Sequence, residues 1–363
     1  MPMYSTWLSP TSVDRSNFAS ATVAHRLGDK PSTATRVALI GLNAATADGV
    51  RRQLYAHYWD FGNLEIVDLG NLRKQTTDFA IPLLRELHSA SIVPVLLGDD
   101  EHMQRAQYLA FGELNRQVGI FAIDRRVSLR PEGAEEPAGA LDAAIHRTQS
   151  PVYHLAHAGS QRHLLHPALE YVFASRHFES YPLGQARADL ADLEPGIRDA
   201  DLLALHIGAI SWSEAPAQGG YHPSGFTLQE AGQLCYYAGN SDRLSSFGLY
   251  GFDAAHPGED AQRLTAAAYA QLVWYFLHGL SRRAGDFPIT LTGMAEYVVE
   301  TSLAGRLTFW RSPRTGRWWV QVPVDAYRGE ARNRLIACSY QDYLVTSKEG
   351  KLPDRILQAF SRY

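Results

Sequence analysis

Short runs of apolar residues recur along this chain, and each run is continuous and bounded by turn residues. A strand that is apolar on both sides needs cover on both of its faces, as in a parallel sheet enclosed by helices. Eight runs are predicted as strands on this basis: Arg36–Leu42, Leu64–Gly70, Ile92–Gly98, Val118–Asp124, Pro151–Ala158, Leu169–Ser175, Asp201–Ile210 and Leu244–Phe252.

Amphipathic helical patterns lie between several of these runs. Thr77–Ala90 and Ala261–Leu280 each carry an apolar stripe on one face. The alternation of strands and helices predicts an α/β fold with a three-layer, doubly wound sheet of about eight mostly parallel strands. Ligands of such sheets bind beyond the carboxyl ends of the strands, so functional residues are expected there.

The pattern changes after residue 295. Leu307–Ser312 and Trp318–Pro323 flank a turn that contains Gly316, which predicts a β-hairpin. The segment Asp342–Tyr363 is predicted to form one or two helices. Because a hairpin and two helices bury too little surface to fold alone, we expect residues 296–363 to pack as an extension on a main domain formed by residues 1–295.

Composition limits the possible partners. The 363 residues include 34 Lys and Arg and 38 Asp and Glu, a formal net charge of -4. Such a chain lacks the basic footprint of a nucleic-acid-binding protein. Its two cysteines lie far apart and predict no disulfide framework. With no long apolar segment and no targeting pattern at the N-terminus, the sequence predicts a cytoplasmic protein without a membrane span.

Four predicted strands lead into polar segments, which read LGDDEH, IDRRVSL, LHIGAISWSEAPA and LYGFDAAHP, and the later segment GFTLQE is typical of a helix start. In this order the five segments resemble the ureohydrolase (arginase, agmatinase and formimidoylglutamase) family. The corresponding family segments read LGGDH, DAHxD and DxDxxDPxxAP, then a strand that ends in Glu, then G-(L/F)-T-x-x-E. The resemblance spans residues 35–285. The C-terminal words RWWVQVP, ACSYQDYL and LPDR are similar to a divergent, formimidoylglutamase-like branch.

The resemblance implies a site at the strand ends whose ligands have largely changed. In the family, four Asp and two His residues bind two Mn²⁺ ions that share an activating hydroxide. The matching positions of this chain are, in order, Glu101, Asp124, Arg126, Ser128, His206 and Gly208. Asp124 is the unchanged position. The family's Glu that positions the substrate's guanidinium corresponds to Gly251.

Charge arithmetic indicates that the dinuclear centre is lost. Two dications about 3.5 Å apart repel by roughly 19 kcal/mol at an effective dielectric constant of about 20. The family's shell supplies four carboxylates against that repulsion. Here Glu101 and Asp124 supply two negative charges, and Arg126 returns one positive charge. Such a shell cannot offset the repulsion.

Three hypotheses describe what remains at this site. In the first, Arg126 replaces the metals as the cation, and Glu101 and Asp124 clamp it through charge-assisted hydrogen bonds. In the second, Glu101, Asp124 and His206 bind one divalent metal such as Mn or Zn, because two carboxylates and an imidazole form a legitimate ligand set. In the third, Arg126 and His206 bind a small anionic or polar ligand.

These hypotheses lead to two possible functions. The first is a ureohydrolase-fold pseudoenzyme without a cofactor, which acts as a binding, regulatory or assembly subunit toward a protein partner or a small polar ligand. The alternative is an active C–N hydrolase that uses the altered mononuclear site. The resemblance also implies a possible homo-oligomer. Fold alone does not assign the chemistry.

Overall fold

The computed structural model describes residues 4–114, 116–131, 139–145, 152–288, 290–301, 305–322 and 335–361. Within these residues the central sheet has nine strands: β1 (Leu8–Ser9), β2 (Val37–Gly41), β3 (Ile66–Leu72), β4 (Val93–Leu97), β5 (Val118–Ile123), β6 (Val152–Ala158), β7 (Glu179–Tyr181), β8 (Leu202–His206) and β9 (Ser246–Tyr250). Their order is β1-β3-β2-β4-β9-β8-β5-β6-β7. Strand β1 pairs antiparallel with β3, and the other neighbours are parallel.

Helices cover both faces of this sheet. They are α1 (Ala44–Leu54), α2 (Thr77–Ser89), α3 (Gln104–Gly112), α4 (Asp142–Ile145), α5 (Ala168–Ser175), α6 (Leu183–Ala188), α7 (Glu194–Asp199), α8 (Leu228–Asn240) and α9 (Glu259–Ser281). Successive residues of a strand enter opposite cores. Val37 and Leu39 pack with α1, α8 and α9, whereas Ala38 and Ile40 pack with α2, α3 and α5. This double burial explains why the strands are continuously apolar. None of the described helices is long and apolar enough to cross a membrane.

The predicted α/β class with a mostly parallel sheet is confirmed, but one predicted strand is wrong. The run Leu169–Ser175 belongs to helix α5. Leu169 and Phe173, four residues apart, are buried, while Tyr171 between them is 78% exposed. This is the spacing of one helix face, and a run this short does not distinguish a strand from a helix. The neighbouring strand is β7, whose three residues carry too little pattern to predict.

A second, antiparallel sheet lies near the C-terminus. It consists of β10 (Ala295–Thr301), β11 (Gly305–Arg311), β12 (Trp318–Gln321) and β13 (Leu335–Cys338) in that order, followed by α10 (Tyr340–Glu349) and α11 (Asp354–Phe360). The predicted hairpin is the pair β11–β12, and Gly316 has a φ of 74° at its turn. The prediction missed the outer strands β10 and β13. The division of the chain at residue 295 stays a prediction, and it falls at the first residue of β10.

Two arginines connect the C-terminal elements to the segment around α7. Nη2 of Arg198 in α7 donates to the carbonyl oxygens of Trp318 and Cys338, at 3.2 and 3.1 Å. Its guanidinium carbon lies 4.5 Å from the ring centroid of Trp319. Arg355 of α11 bonds Asp192 at 2.8 Å. Because Arg198 is buried, these bonds fix the small sheet on α7.

Helices α8 and α9 approach each other so closely that their backbones are in contact. A Cβ atom on Gly239 would lie 2.0 Å from the carbonyl oxygen of Phe276, and one on Gly279 would lie 2.2 Å from that of Tyr236. Backbone atoms cannot yield as the end of a flexible side chain can. The two glycines therefore set the distance between these helices.

We expect Gly239→Ala to lower the free energy of unfolding by about 1–3 kcal/mol, because the added methyl group overpacks the contact between the helices. The matched control is Gly184→Ala in α6, where an added Cβ meets nothing within 4 Å. That substitution should change the free energy of unfolding by about 0.5 kcal/mol or less, as is usual for exposed positions. Chemical denaturation of both variants measures the difference, and equal effects would contradict the close approach.

Candidate functional site

The candidate site lies where four adjacent strands end. Strands β4, β9, β8 and β5 are neighbours in the sheet and run parallel. Glu101 follows β4, Gly251 follows β9, His206 is the last residue of β8, and Asp124 follows β5. The positions that are distant in sequence therefore meet at one edge, as the order of the strands requires.

An open cleft of about 1060 Å³ covers these strand ends. Beneath it lies a smaller cavity of about 20 Å³, which Asp124, His157, His206 and Tyr250 help to line. A cavity of this size holds about one water molecule. The cleft therefore has the volume of a small-molecule site, whereas the space deep among the strand ends is nearly filled by side chains.

His206 lies between the two carboxylates of the site. Its Nε2 is 3.7 Å from Oε2 of Glu101, and its Nδ1 is 3.5 Å from Oδ1 of Asp124. Nδ1 also accepts a hydrogen bond of 3.0 Å from the backbone N–H of Gly208. The ring thus presents a different nitrogen to each carboxylate. Among the described residues, no three His, Cys, Asp or Glu side chains are arranged to hold a metal ion.

The imidazole of His206 also fills the space next to Gly251. A Cβ atom on Gly251 would lie 2.2 Å from Nε2 of His206. The backbone of Gly251 has a φ of 84°, a conformation that side-chain-bearing residues rarely adopt. A glutamate at this position would therefore meet both a strained backbone and an occupied volume.

Arg125, which sequence reasoning passed over, is the buried cation of the site. Its Nη1 donates to Oε1 of Gln218 at 2.7 Å and to the carbonyl oxygen of Gly208 at 3.3 Å. Its Nη2 donates to the carbonyl oxygen of Gly219. All three acceptors are neutral. Burial lowers the pKa of the Arg125 guanidinium, and the charge of nearby Asp124 acts against that shift.

The guanidinium of Arg125 occupies the space that a side chain at position 208 would need. A Cβ atom on Gly208 would lie 2.3 Å from Nη1 of Arg125. The family segment DAHxD has a small alanine at the position of Arg125, and DxD has an aspartate at that of Gly208. Relative to the segments that it resembles, this chain has a larger residue at position 125 and a smaller one at position 208. This exchange of size was the available sequence signal.

The clamp expected around Arg126 does not form within the described residues. Arg126 is exposed, and its side chain has no hydrogen bond or ion pair with Glu101 or Asp124 in the part of the chain that the structure describes. The physical reason is that the adjacent Arg125 points inward and donates to three oxygen acceptors there. His206 takes the place between the carboxylates.

Ser128 and His157 form local hydrogen bonds beside the site. Oγ of Ser128 accepts a hydrogen bond of 2.9 Å from the backbone N–H of Ala140. Nε2 of the buried His157 lies 2.9 Å from the carbonyl oxygen of Arg126, so Nε2 carries the proton and donates. Burial lowers the pKa of His157, and the charge of Asp124 acts against that shift. Oδ1 of Asp124 is buried without a hydrogen-bond partner among the described residues.

Comparisons with known proteins agree with this architecture. No protein-family model and no curated protein matches the chain. The solved structure of formiminoglutamase from Trypanosoma cruzi with Mn²⁺ matches with a TM-score of 0.63 at 13% identity, over 72% of this chain and 99% of that one. Formimidoylglutamase from Bacillus subtilis matches with 0.60 at 15%, over 71% and 91%. Arginase from Bacillus cereus matches with 0.54 at 13%, over 67% and 98%. These identities establish the fold alone.

Arg125 is buried and the adjacent Arg126 is exposed, so the same substitution at both positions tests the effect of burial on stability. We expect Arg125→Met to lower the free energy of unfolding by about 3 kcal/mol, because it deletes three charge-assisted hydrogen bonds and leaves buried oxygen acceptors unpaired. Arg126→Met should change it by about 0.5 kcal/mol or less, as is usual for exposed positions. Urea denaturation of both variants decides this, and an equal loss in both would contradict the buried role of Arg125.

A double-mutant cycle tests whether His206 fills the space beside Gly251. In the wild-type background, Gly251→Ala should cost about 1–2 kcal/mol for the left-handed backbone and about 1–3 kcal/mol for overpacking against the ring. In a His206→Ala background the second cost should vanish. Denaturation of the single and double variants measures the coupling. Strictly additive costs would show that the ring lies elsewhere.

Proposed function

We propose that this chain, which has the fold of arginase-superfamily structures, binds a small ligand at its strand ends and lacks metal-dependent amidinohydrolase activity. It would then serve as a binding or regulatory subunit, or as an assembly subunit in a homo-oligomer or with a protein partner. The observation that carries the proposal is steric. Arg125 fills the volume above Gly208, and His206 fills the volume beside Gly251.

The residues present do not fit two Mn²⁺ ions. Six positions correspond to metal ligands of the ureohydrolase family. Of these, Gly208 offers no side chain, the hydroxyl of Ser128 accepts a hydrogen bond from Ala140, and Arg126 is itself a cation. The buried guanidinium of Arg125 adds a positive charge that would repel a dication. Metal ligation by Glu101 and Asp124 alone would leave most of the ions' charge uncompensated.

A cleft suited to ligand binding is present at the strand ends. Its volume of about 1060 Å³ suits a small molecule. It also opens at the carboxyl ends of parallel strands, where such folds bind their ligands. Polar side chains from several strand ends line it, so binding does not depend on a metal. A binding role therefore needs no change to the site as it stands.

An active C–N hydrolase with a single metal is the second candidate. The observation in its favour is that His206 lies within 3.7 and 3.5 Å of Glu101 and Asp124. Against it, the two carboxylates face different ring nitrogens, and the backbone N–H of Gly208 already occupies Nδ1. The imidazole would have to rotate before one nitrogen and both carboxylates could meet at one Mn or Zn ion.

We expect no turnover of arginine, agmatine or formiminoglutamate in millimolar Mn²⁺, because no pair of metals is available to activate a water molecule. Release of urea, ammonia or formamide is the readout, with an active arginase assayed in parallel as the positive control. Elemental analysis of the purified protein should find no stoichiometric Mn or Zn. Turnover that disappears in an Asp124→Ala variant would overturn the proposal in favour of the single-metal hydrolase.

A further inference from the structure

Two arginines that line the cleft form no ion pair with a carboxylate within the described residues. Arg125 and Arg126 are consecutive, and both line the cleft. Arg125 donates to an amide oxygen and two carbonyl oxygens, so none of its hydrogen bonds reaches a carboxylate. Its Nε is buried without a partner within the described ranges. The first of the two guanidinium groups is therefore held in place by neutral oxygen acceptors.

The second guanidinium is free to contact a ligand. Arg126 lines both the cleft and the small cavity beneath it. Its side chain is exposed and has no hydrogen-bond or ion-pair partner in the described part of the chain. A planar guanidinium in a concave site binds carboxylate or phosphate groups through two parallel hydrogen bonds. Arg126 is thus a donor without an acceptor at the floor of the cleft.

Glu101 and Asp124 lie near enough to Arg125 to act on its pKa, but neither forms an ion pair with Arg125 or Arg126 within the described residues. Glu101 and Asp124 both face the imidazole of His206, at 3.7 and 3.5 Å. Two more imidazoles, His163 and His222, join the arginines in the lining of the cleft. The pKa of His222 is lowered by partial burial and then by the charges of the two arginines and His163. This shift is a second sign that the potential here is positive.

We propose that the cleft binds a small oxyanion, a carboxylate or a phosphate group, through the free guanidinium of Arg126, with Arg125 fixed beneath it. The proposal rests on the proposed function and names its ligand class. It reverses the charge preference of the family, because the family directs a cationic guanidinium or formimino group at its strand ends. Here the group that approaches the strand ends is the anionic one.

Calorimetric titration of the whole protein at low ionic strength tests this, with inorganic phosphate, succinate and agmatine as probes. We expect phosphate or succinate to bind with one site per chain, and agmatine, which is cationic, to show no binding. The stronger of the two anions identifies the phosphate or the carboxylate as the source of the oxyanion. Absence of binding by both anions, or binding of agmatine, would overturn the proposal.

Variants locate the site. Arg126→Gln should weaken binding at least about tenfold, the loss of about 1.4 kcal/mol. Arg126→Lys keeps the charge but loses the pair of parallel N–H donors. Its affinity should therefore lie between those of the wild type and Arg126→Gln. The matched control is Arg263→Gln, the same change at an arginine of α9 whose side chain is 66% exposed and which does not line the cleft. It should leave affinity within about twofold of wild type, since only net charge is lost. Equal weakening by Arg126→Gln and Arg263→Gln would overturn the proposal.

The outcome also separates this inference from the proposed function. If neither anion binds and no substrate turns over in Mn²⁺, the ligand class is wrong and the loss of hydrolase activity still stands. If arginine, agmatine or formiminoglutamate turns over in Mn²⁺, the proposed function is wrong whatever the anions do.

Discussion

The buried guanidinium of Arg125 is the interaction on which the account of the strand ends depends. A cation taken out of water needs oxygen acceptors in a fixed geometry, and here they come from Gly208 at the end of β8 and from the loop at Gln218 and Gly219. One side chain thereby joins the end of β5 to the segments that follow β8. In the ureohydrolase family that the sequence resembles, such strand ends are joined by shared metal ions. In this chain the guanidinium of Arg125 joins these segments through hydrogen bonds. Its position requires glycine at residue 208, because a Cβ atom there would overlap with the guanidinium.

A second exchange follows the same physical rule. The segments that the sequence resembles carry an aspartate at the position of His206, whereas here an imidazole ring occupies the volume beside Gly251. Each exchange couples a residue that adds volume to one that removes it, because a close-packed interior tolerates changes that conserve volume. Reversing one partner alone would create a clash or a void. The proposed loss of hydrolase activity is therefore distributed over several strand ends, and no single substitution would reverse it.

Much of the architecture was predictable from sequence because strands that are buried on both faces leave a continuous apolar signature. The order of parallel strands places Glu101, Asp124, His206 and Gly251 at one edge of the sheet. Leu169–Ser175 failed because a seven-residue apolar run carries both helical and extended periods. The choice between Arg125 and Arg126 failed for a different reason. It depends on acceptors such as Gly219, which is 94 residues away in sequence, and no local pattern records that contact.

A crystal grown or soaked in millimolar Mn²⁺, with anomalous diffraction recorded near the manganese edge, tests the central claim most directly. The account predicts no anomalous peak among Glu101, Asp124 and His206. It also predicts density for the guanidinium of Arg125 above Gly208 and for the imidazole of His206 beside Gly251. One or two strong peaks at the strand ends, with Arg125 or His206 displaced from those positions, would contradict it.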